Sequence, residues 1–428
     1  MKKYTDRYDV IVCGGGPSGI AAAAAAARQG AKTALIERYG ILGGMLTSGY
    51  VNPVLGSVAK GTMYDEITSL LQATFITTRN GREMSVNTES AKYTLLKFVA
   101  DAGADIFLQT PVVDVIKDGN RVLGVVVGTQ QGLKKLYAAS IIDATGDGMV
   151  AALAGAEFSV GRESDGRCQP SSAEFTINGV DEERAFTCWG GSDPVKMPDG
   201  TPYAQFCKQK NLEGELPENV TIVRLHKTDA PGERSVNATQ VNGLDTLSPE
   251  GVAEAELELR EQIGKVIAFL QKYVPGYEKC ALKASGSSLG VRETRRILGD
   301  YILSDDDVEH GNRHSDVAVH NAWFLIDIHN PAGGGQAEGH SQPAEPYDIP
   351  YRCFLPKGLE HILTCGRCIS GTHRAHASYR VMGVCLATGQ AAGTAAALSA
   401  LNGIAPRALD PELLQKALQS QGAVLFDQ

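Results

Sequence analysis

The sequence predicts an α/β fold: a Rossmann-like dinucleotide-binding domain split between the two ends of the chain, with an α+β substrate or cap domain interleaved. Three observations predict it. Asp9 to Glu37 reads as a complete βαβ unit, in which an apolar strand runs into Gly14-Gly15-Gly16-Pro17-Ser18-Gly19, a helix follows, and a second strand ends on an acid. The 428 residues exceed what one hydrophobic core usually serves. Between about Glu157 and Pro346 the texture turns more polar, with scattered Gly and Pro, before an apolar pattern returns at Tyr347.

Each residue of the first unit has a physical task. Gly14 permits the tight turn, Gly16 lets backbone approach a pyrophosphate, and Gly19 lets helix and strand pack closely. The helix N-terminus offers free N–H groups and the positive end of its dipole. Glu37 is placed to accept from both ribose hydroxyls of an adenosine and to repel a 2′-phosphate, so the expected ligand is FAD or NAD and not NADP. The alanine run 21–27 is too short to span a membrane and reads as a small-residue face laid against a sheet.

Glycines in Arg38-Tyr-Gly-Ile-Leu-Gly-Gly-Met-Leu-Thr-Ser-Gly49 forbid a regular element and leave backbone free to meet a ligand. Helical spacing places one helix over 61–71 and another from an Asn87 or Thr88 cap through Ala102, with Tyr93, Leu96 and Val99 or Ala100 expected on its buried face. Strands are expected over 105–109, 112–117 and 122–127, the last two joined by Asp118-Gly119-Asn120. Tyr137 to Asp143 reads as a buried parallel strand that ends in the glycine turn Ala144-Thr145-Gly146-Asp147-Gly148. The interleaved region carries one well-marked helix, 249–273, and a flexible loop, 331–343, whose glycines follow no dinucleotide spacing. A short buried strand at 362–366 and a second small-residue helix at 381–401 close the chain. The expected division is 1–157 and 347–428 for the nucleotide domain and 158–346 for the cap, with 60–87 a candidate excursion to the cap.

Composition narrows the function. A net charge of −9 and pI of about 5.6, with no long basic run, argue against a nucleic-acid partner. Nine cysteines at irregular spacing suit a reducing, cytoplasmic compartment. No targeting or membrane segment and no metal-ligand spacing is read; Cys365-Gly-Arg-Cys368 has no second Cys or His pair to complete a metal site.

The motifs 13–19, 37–38, 42–47, 143–148, 290–300, 347–352, 365–370 and 380–393 together resemble the FAD-dependent oxidoreductases related to glutathione reductase-type and fumarate reductase-type flavoproteins. That resemblance covers nearly the whole chain and implies FAD as cofactor. It places Gly14, Gly16, Pro17, Ser18 and Gly19 at the pyrophosphate, and Glu37 at the ribose. Arg38, Gly43, Gly44 and Met45 line the cofactor, Val113 (or Val112) meets the adenine through backbone, and Ala144, Thr145 and Gly146 lie beside the nucleotide. Gly366 and Arg367 belong near the ribityl chain, and the helix starting at Val381 and Met382 points at the flavin N1/C2 edge. Two positions depart from the expected pattern: Met149, where the resemblance leads one to expect an acidic residue, and Cys365, at a position often filled by a small apolar residue. The second nicotinamide domain of a disulfide reductase is missing, which sets aside a redox role for Cys365 and Cys368. Trp189 and Trp323 do not form the Trp-x-Trp pattern of flavin halogenases.

Hydride leaving an alcohol or amine requires a base. His373 and His376 lie between the flavin-lining Arg367 and the last helix; His329 has Asp327 two positions away on the same face of an extended segment. Each competes with an ordinary buried or solvated histidine. Arg292 is a candidate for a substrate carboxylate, against the alternative that Arg292, Glu293, Arg295 and Arg296 form an ion-pair network with Asp300; Arg352 and Arg380 compete for the same substrate role. Tyr347, Asp348 and Tyr351 belong either to the pocket rim or to the core.

The expected function is a dehydrogenase or reductase that transfers a hydride between a small organic substrate and the flavin and passes electrons to an external acceptor. An oxidase or monooxygenase using dioxygen, and a flavin electron-transfer subunit, are the alternatives; tRNA modification on a related fold is disfavoured by the acidic balance. A homodimer is common among such flavoproteins and is one option here.

Overall fold

The computed structural model describes residues 4–71, 76–77 and 84–427. Along the chain come β1 (Arg7–Cys13), α1 (Pro17–Arg28), β2 (Thr33–Ile36), β3 (Pro53–Val54), α2 (Met63–Leu71), β4 (Ile76–Thr77), β5 (Met84–Ser85), α3 (Thr88–Ala102), β6 (Asp105–Phe107), β7 (Val112–Asp118), β8 (Arg121–Thr129), β9 (Gly132–Asp143) and α4 (Met149–Ala154). There follow β10 (Phe158–Val160), β11 (Phe175–Asn178), α5 (Tyr203–Leu212), β12 (Arg224–Lys227), β13 (Arg234–Asn237), α6 (Pro249–Tyr273), β14 (Ala281–Ser285) and β15 (Arg295–Ile297). The last stretch holds α7 (Asp305–His310), β16 (Val317–Ala322), β17 (Tyr347–Pro350), β18 (Ile362–Thr364), α8 (His373–Tyr379), α9 (Met382–Leu401) and α10 (Pro411–Ser420).

The main sheet runs β6-β2-β1-β9-β8-β7, with β18 on the other side of β9's C-terminal half. β6, β2, β1, β9 and β18 are parallel, and β7, β8 and the start of β9 form an antiparallel meander. β9 serves both: residues 132–137 pair with β8, and residues 137–143 enter the parallel sheet beside β1. Its C-terminal end therefore delivers the Ala144-Thr145-Gly146 turn next to Gly14, at the carboxyl edge where ligands of such sheets bind.

The two small-residue helices explain one another. Ala21 to Ala26 are all buried, and a methyl added at Gly389 or Gly393 of α9 would lie 2.1 Å from Ser18 O or 2.2 Å from Ala22 O. Only glycine permits backbones this close. α9 is long and apolar enough to cross a membrane by composition, yet 83% of its apolar window is buried inside the molecule, as befits a core helix.

The cap has its own core. β12-β13-β11-β14 make an antiparallel sheet, packed through Phe175, Val223, Leu225 and Val236 on Leu259, Val266, Phe269 and Leu270 of α6. Ser248 caps α6, accepting from Gly251 N at 3.0 Å, with Pro249 at the first helical position.

Three expectations change. The α3 face is Ala91, Leu95, Phe98 and Val99, whereas Tyr93 is 70% exposed, because the helix is turned so that Leu95 and Phe98 meet α1 and α2. The cap core spans 173–291; Leu303 to Ala344 instead share a cluster with α1 and α9, so the second boundary lies well before Pro346. The stretch 60–87 is not an excursion where described: α2 packs Met63, Ile67 and Leu71 into the nucleotide domain, and Met63 N donates to Gln390 of α9 at 2.8 Å. Residues 72–75 and 78–83 of that stretch lie outside the described residues.

Candidate functional site

At the pyrophosphate end, the glycines differ in what a side chain would meet. A Cβ at Gly14, which sits at φ +104°, would lie 2.5 Å from Ala144 O, and one at Gly19 1.7 Å from Gly14 O, so these two are required by the protein's own packing. A Cβ at Gly16 would meet only Gly44 Cα, at 4.0 Å. The space before Gly16 is open, and Gly16 caps α1 with no side chain competing for its first N–H groups. Pro17 starts the helix, and Ser18 in the same first turn is buried against Gly366 and Gly389.

Glu37 is 5% exposed; its Oε2 accepts from Gly15 N at 2.6 Å and its Oε1 from Tyr39 N at 2.8 Å. Burial raises its pKa, and these N–H donors oppose the rise. Each oxygen keeps a second lone pair for a ribose hydroxyl. Arg38 is exposed, its guanidinium 4.9 Å from the Tyr39 ring. Val113 stands at a bulge between Val112 and Asp114, outside the β7–β8 register, which leaves its backbone for a ligand.

Gly43 N donates to Gly15 O at 2.8 Å, and Gly44 is stacked so closely on Gly16 that a Cβ would come within 2.9 Å of Gly16 Cα. Both take positive φ, and Met45 follows in the same tight turn. Across from them, buried Asp143 holds the next turn, its Oδ1 accepting from Thr145 N at 3.0 Å and Thr145 Oγ1 at 2.6 Å. Arg367 donates from Nε to Gly146 O at 2.9 Å and also reaches Asp147 and Val291 O. It is thereby committed to bracing the 145–147 turn. Gly366 N donates to Thr388 Oγ1 at 3.0 Å. Val381 caps α9 without a side-chain acceptor and Met382 begins the helix, while Gly383 N in its first turn donates to Leu55 O at 3.0 Å.

At the reacting end the structure gathers three of the five candidate catalytic residues. Arg380, one residue before the α9 cap, donates from Nη2 to Asp327 O at 3.0 Å and Oδ2 at 3.1 Å. His329 Nε2 lies 3.3 Å from the same Oδ2. Gln336 Nε2 and Ser341 Oγ donate to Asp327 Oδ1 at 2.7 and 3.2 Å, so the glycine-rich loop serves as a clasp on this carboxylate. Arg292 donates from Nη1 to Pro170 O at 2.8 Å. Burial opposes ionisation of Asp327, but His329, Arg380 and Arg224 hold it well below the usual carboxylate range. Burial and then the Arg292 charge push His329 down to about 4. Burial pushes Glu174 up to about 8, against the pull of Arg292 and Arg224.

The other two candidates sit apart on α8. His373 Nδ1 lies 2.9 Å from Glu293 Oε1, and Arg296 pairs with the same Glu293 while donating to Gly371 O at 3.0 Å and Gly161 O at 2.8 Å. Among the described residues, neither nitrogen of buried His376 has a hydrogen-bond partner. Burial, then the charges of Arg296, Arg380 and Arg367, keep it neutral. The charged group at 292–296 therefore divides: Glu293 and Arg296 form a buried pair, and Arg292 faces Asp327. Asp300 is not their partner; it pairs with Arg407. Arg352 is bound to Asp316 and lies over Tyr301, away from any substrate role, and Tyr347 and Tyr351 are core residues. Asp348 is engaged by His320 Nδ1 at 2.7 Å. Cys365 and Cys368 are buried free thiols, both pushed up by burial.

Sequence reasoning missed Arg224 and Glu174. A signal for both exists: each ionisable residue has an apolar residue on either side, Val223-Arg224-Leu225 and Ala173-Glu174-Phe175.

The tRNA uridine 5-carboxymethylaminomethyl modification enzyme MnmG of Aquifex aeolicus is 34% identical over 142 residues, which is 29% of this chain and 22% of that enzyme. The digeranylgeranylglycerophospholipid reductase of Picrophilus torridus is 32% identical over 155 residues, 32% of this chain and 39% of that one. The chain thus spans well under half the length of these relatives. The structure of p-nitrophenol 4-monooxygenase PnpA from Pseudomonas putida DLL-E4 superposes with a TM-score of 0.50 at 11% identity, over 97% of this chain and 84% of that one, which shows a shared fold. The family model described as FAD dependent oxidoreductase matches residues 9–418. The open cradle at Gly16, the uncapped α1 and the bulge at Val113 fit FAD. The chain is an enzyme with FAD as its cofactor, and it belongs to the FAD dependent oxidoreductase family.

Proposed function

We propose that this enzyme is a cytoplasmic dehydrogenase or reductase that moves a hydride between a small organic substrate and the flavin, with an external acceptor completing the cycle. One observation carries the reading: the His329–Asp327 pair is tied through Arg380 to the start of α9, which on this reading is the helix that points at the flavin. FAD, when bound, supplies the two-electron acceptor and receives the hydride. With Nε2 on Asp327, Nδ1 of His329 is the atom that takes the hydroxyl or amino proton of the substrate as its C–H bond breaks. The ionised Asp327 carboxylate stabilises the imidazolium that results. Nine free cysteines agree with the reducing compartment.

Anaerobic mixing of the holoenzyme with alcohols, polyols, amines and unsaturated acids tests the reading. Bleaching of the oxidised flavin by a member of this panel is expected. Bleaching only by a partner redox protein overturns it in favour of an electron-transfer subunit, and stoichiometric peroxide on re-aeration at the turnover rate assigns an oxidase.

A further inference from the structure

Gln169, in the segment between β10 and β11, is held from three sides. Its backbone N donates to Glu293 Oε2 at 3.0 Å, and its side-chain Oε1 accepts from His329 N at 3.1 Å. The next residue is Pro170, which disfavours helical conformations of Gln169 and whose carbonyl accepts from Arg292 Nη1 at 2.8 Å. Chemistry fixes which way the amide faces. A backbone N–H can only donate, so the atom on His329 N is the oxygen and the amide nitrogen is the other end. Gln169 thereby joins the Glu293–His373 pair to the segment that carries the His329–Asp327 pair.

The nitrogen end is left over. Gln169 is 3% exposed, and among the described residues its Nε2 has no hydrogen-bond partner. The other buried glutamines among the described residues all donate from Nε2: Gln240 to Asn242 and Gly333 O, Gln262 to Gln240 O, Gln390 to Gln421, and Gln415 to Ser315 O. Gln169 differs in being anchored by its acceptor, with its N–H donors unused beside the residue that takes the substrate proton. A buried donor without an acceptor is costly, which assigns this one to an acceptor that the protein itself does not supply.

We propose that Gln169 Nε2 donates to the reacting oxygen of the substrate, and that the substrate couple is therefore an alcohol and its carbonyl, not an amine and its imine. The inference rests on the flavin-dehydrogenase reading above and narrows its substrate class. In the oxidation the C–H electron pair leaves with its hydrogen as hydride to the oxidised flavin. The hydroxyl proton passes to His329 Nδ1, and the O–H pair becomes the second bond of the carbonyl. Oxygen keeps two lone pairs throughout, and the negative charge it gains as its proton leaves is stabilised by a donor already fixed in place. An amine N–H is too weak an acid to yield to an imidazole first, so hydride is expelled by the single nitrogen lone pair, which becomes the C=N bond. A donor held on that pair opposes the reaction, and an ammonium has no pair to offer.

The test uses holoenzyme with oxidised FAD under anaerobic conditions and follows bleaching by matched pairs: benzyl alcohol against benzylamine, cyclohexanol against cyclohexylamine, and glycerol against 2-amino-1,3-propanediol. Bleaching by at least one alcohol is expected, with its amine slower by about a hundredfold or more. Gln169→Met keeps the bulk and loses the amide, whereas Gln169→Glu keeps an acceptor for His329 N and, when ionised, loses the donor. Both should slow reduction by the active alcohol about a hundredfold, the effect of removing one donor from a developing oxyanion, and in kcat more than in KM, with FAD content as in wild type. If Gln169 only holds the His329 backbone, Gln169→Glu keeps the wild-type rate, and that result overturns the proposal. The alcohol and amine comparison needs no variant, so it stands even where a substitution disturbs folding. Bleaching by an amine and by no alcohol, or by both members of a pair at similar rates, defeats this inference alone; a flavin bleached by no small molecule defeats the dehydrogenase reading.

Discussion

Arg380 Nη2 bridges both the carbonyl and the carboxylate of Asp327, at 3.0 and 3.1 Å, and so fastens the start of α9 to the segment that carries His329. Removing the charge at Asp327 should strip His329 of the partner that stabilises its protonated form. Asp327→Asn is expected to slow anaerobic flavin reduction by about a hundredfold or more, within the range of general acid–base contributions, while FAD remains bound. Stopped-flow bleaching with the substrate found in the screen measures it. A rate within threefold of wild type removes the pair from the mechanism.

His329 sets a pH profile. Its value of about 4 in the free enzyme means that the imidazole is already neutral across the physiological range. The kcat/KM for reduction, which reports the free enzyme, should stay flat through neutral pH and decline only as pH approaches about 4. His329→Gln should lower the plateau and abolish that limb.

Glu174 gives a stability signature. Its folded-state value of about 8 lies above the ordinary 4.5, so the folded enzyme holds a proton that the unfolded chain has released between those limits. Stability from this group is therefore present in full below about 4.5 and is lost as pH rises toward about 8. Glu174→Gln, which cannot ionise, should melt higher than wild type by about a few degrees at pH 8, the gap narrowing toward pH 5. Calorimetric scans across that range measure it.

The glycines of the cradle should separate folding from cofactor binding. A Cβ at Gly16 meets no protein atom closer than Gly44 Cα at 4.0 Å, and its φ of −73° is ordinary for any residue, so Gly16→Ala should fold and bind FAD more weakly. Gly389→Ala does the reverse. Its methyl would stand 2.1 Å from Ser18 O, and the forced separation of α1 and α9 should cost about 1–3 kcal/mol, read from denaturant unfolding of the apoprotein.

Much of the nucleotide end was legible in the sequence because local backbone demands dictate it. Gly14, Gly19 and Glu37 act within one βαβ unit, where spacing alone places a turn, a helix start and an acid together. The helix 249–273 was equally legible, from its Ser248 cap and Pro249 start through a sustained apolar period. The α3 face was not, since Tyr93 and Leu95 both satisfy a helical spacing and only contact with α1 and α2 chooses between them.

The reacting end lay beyond sequence reading for a different reason. Asp327 and Arg380 are distant along the chain, and their pairing is a property of the folded chain, not of any local pattern. By itself the sequence determined a Rossmann-like domain, its FAD cradle and the shortlist of ionisable groups, because these depend on short-range geometry. Tertiary structure alone decided that Glu293 claims His373, that His376 is buried without a hydrogen-bond partner among the described residues, and that His329 stands with Asp327 and Arg380. Burial and charge at these positions are set by neighbours that no local pattern specifies.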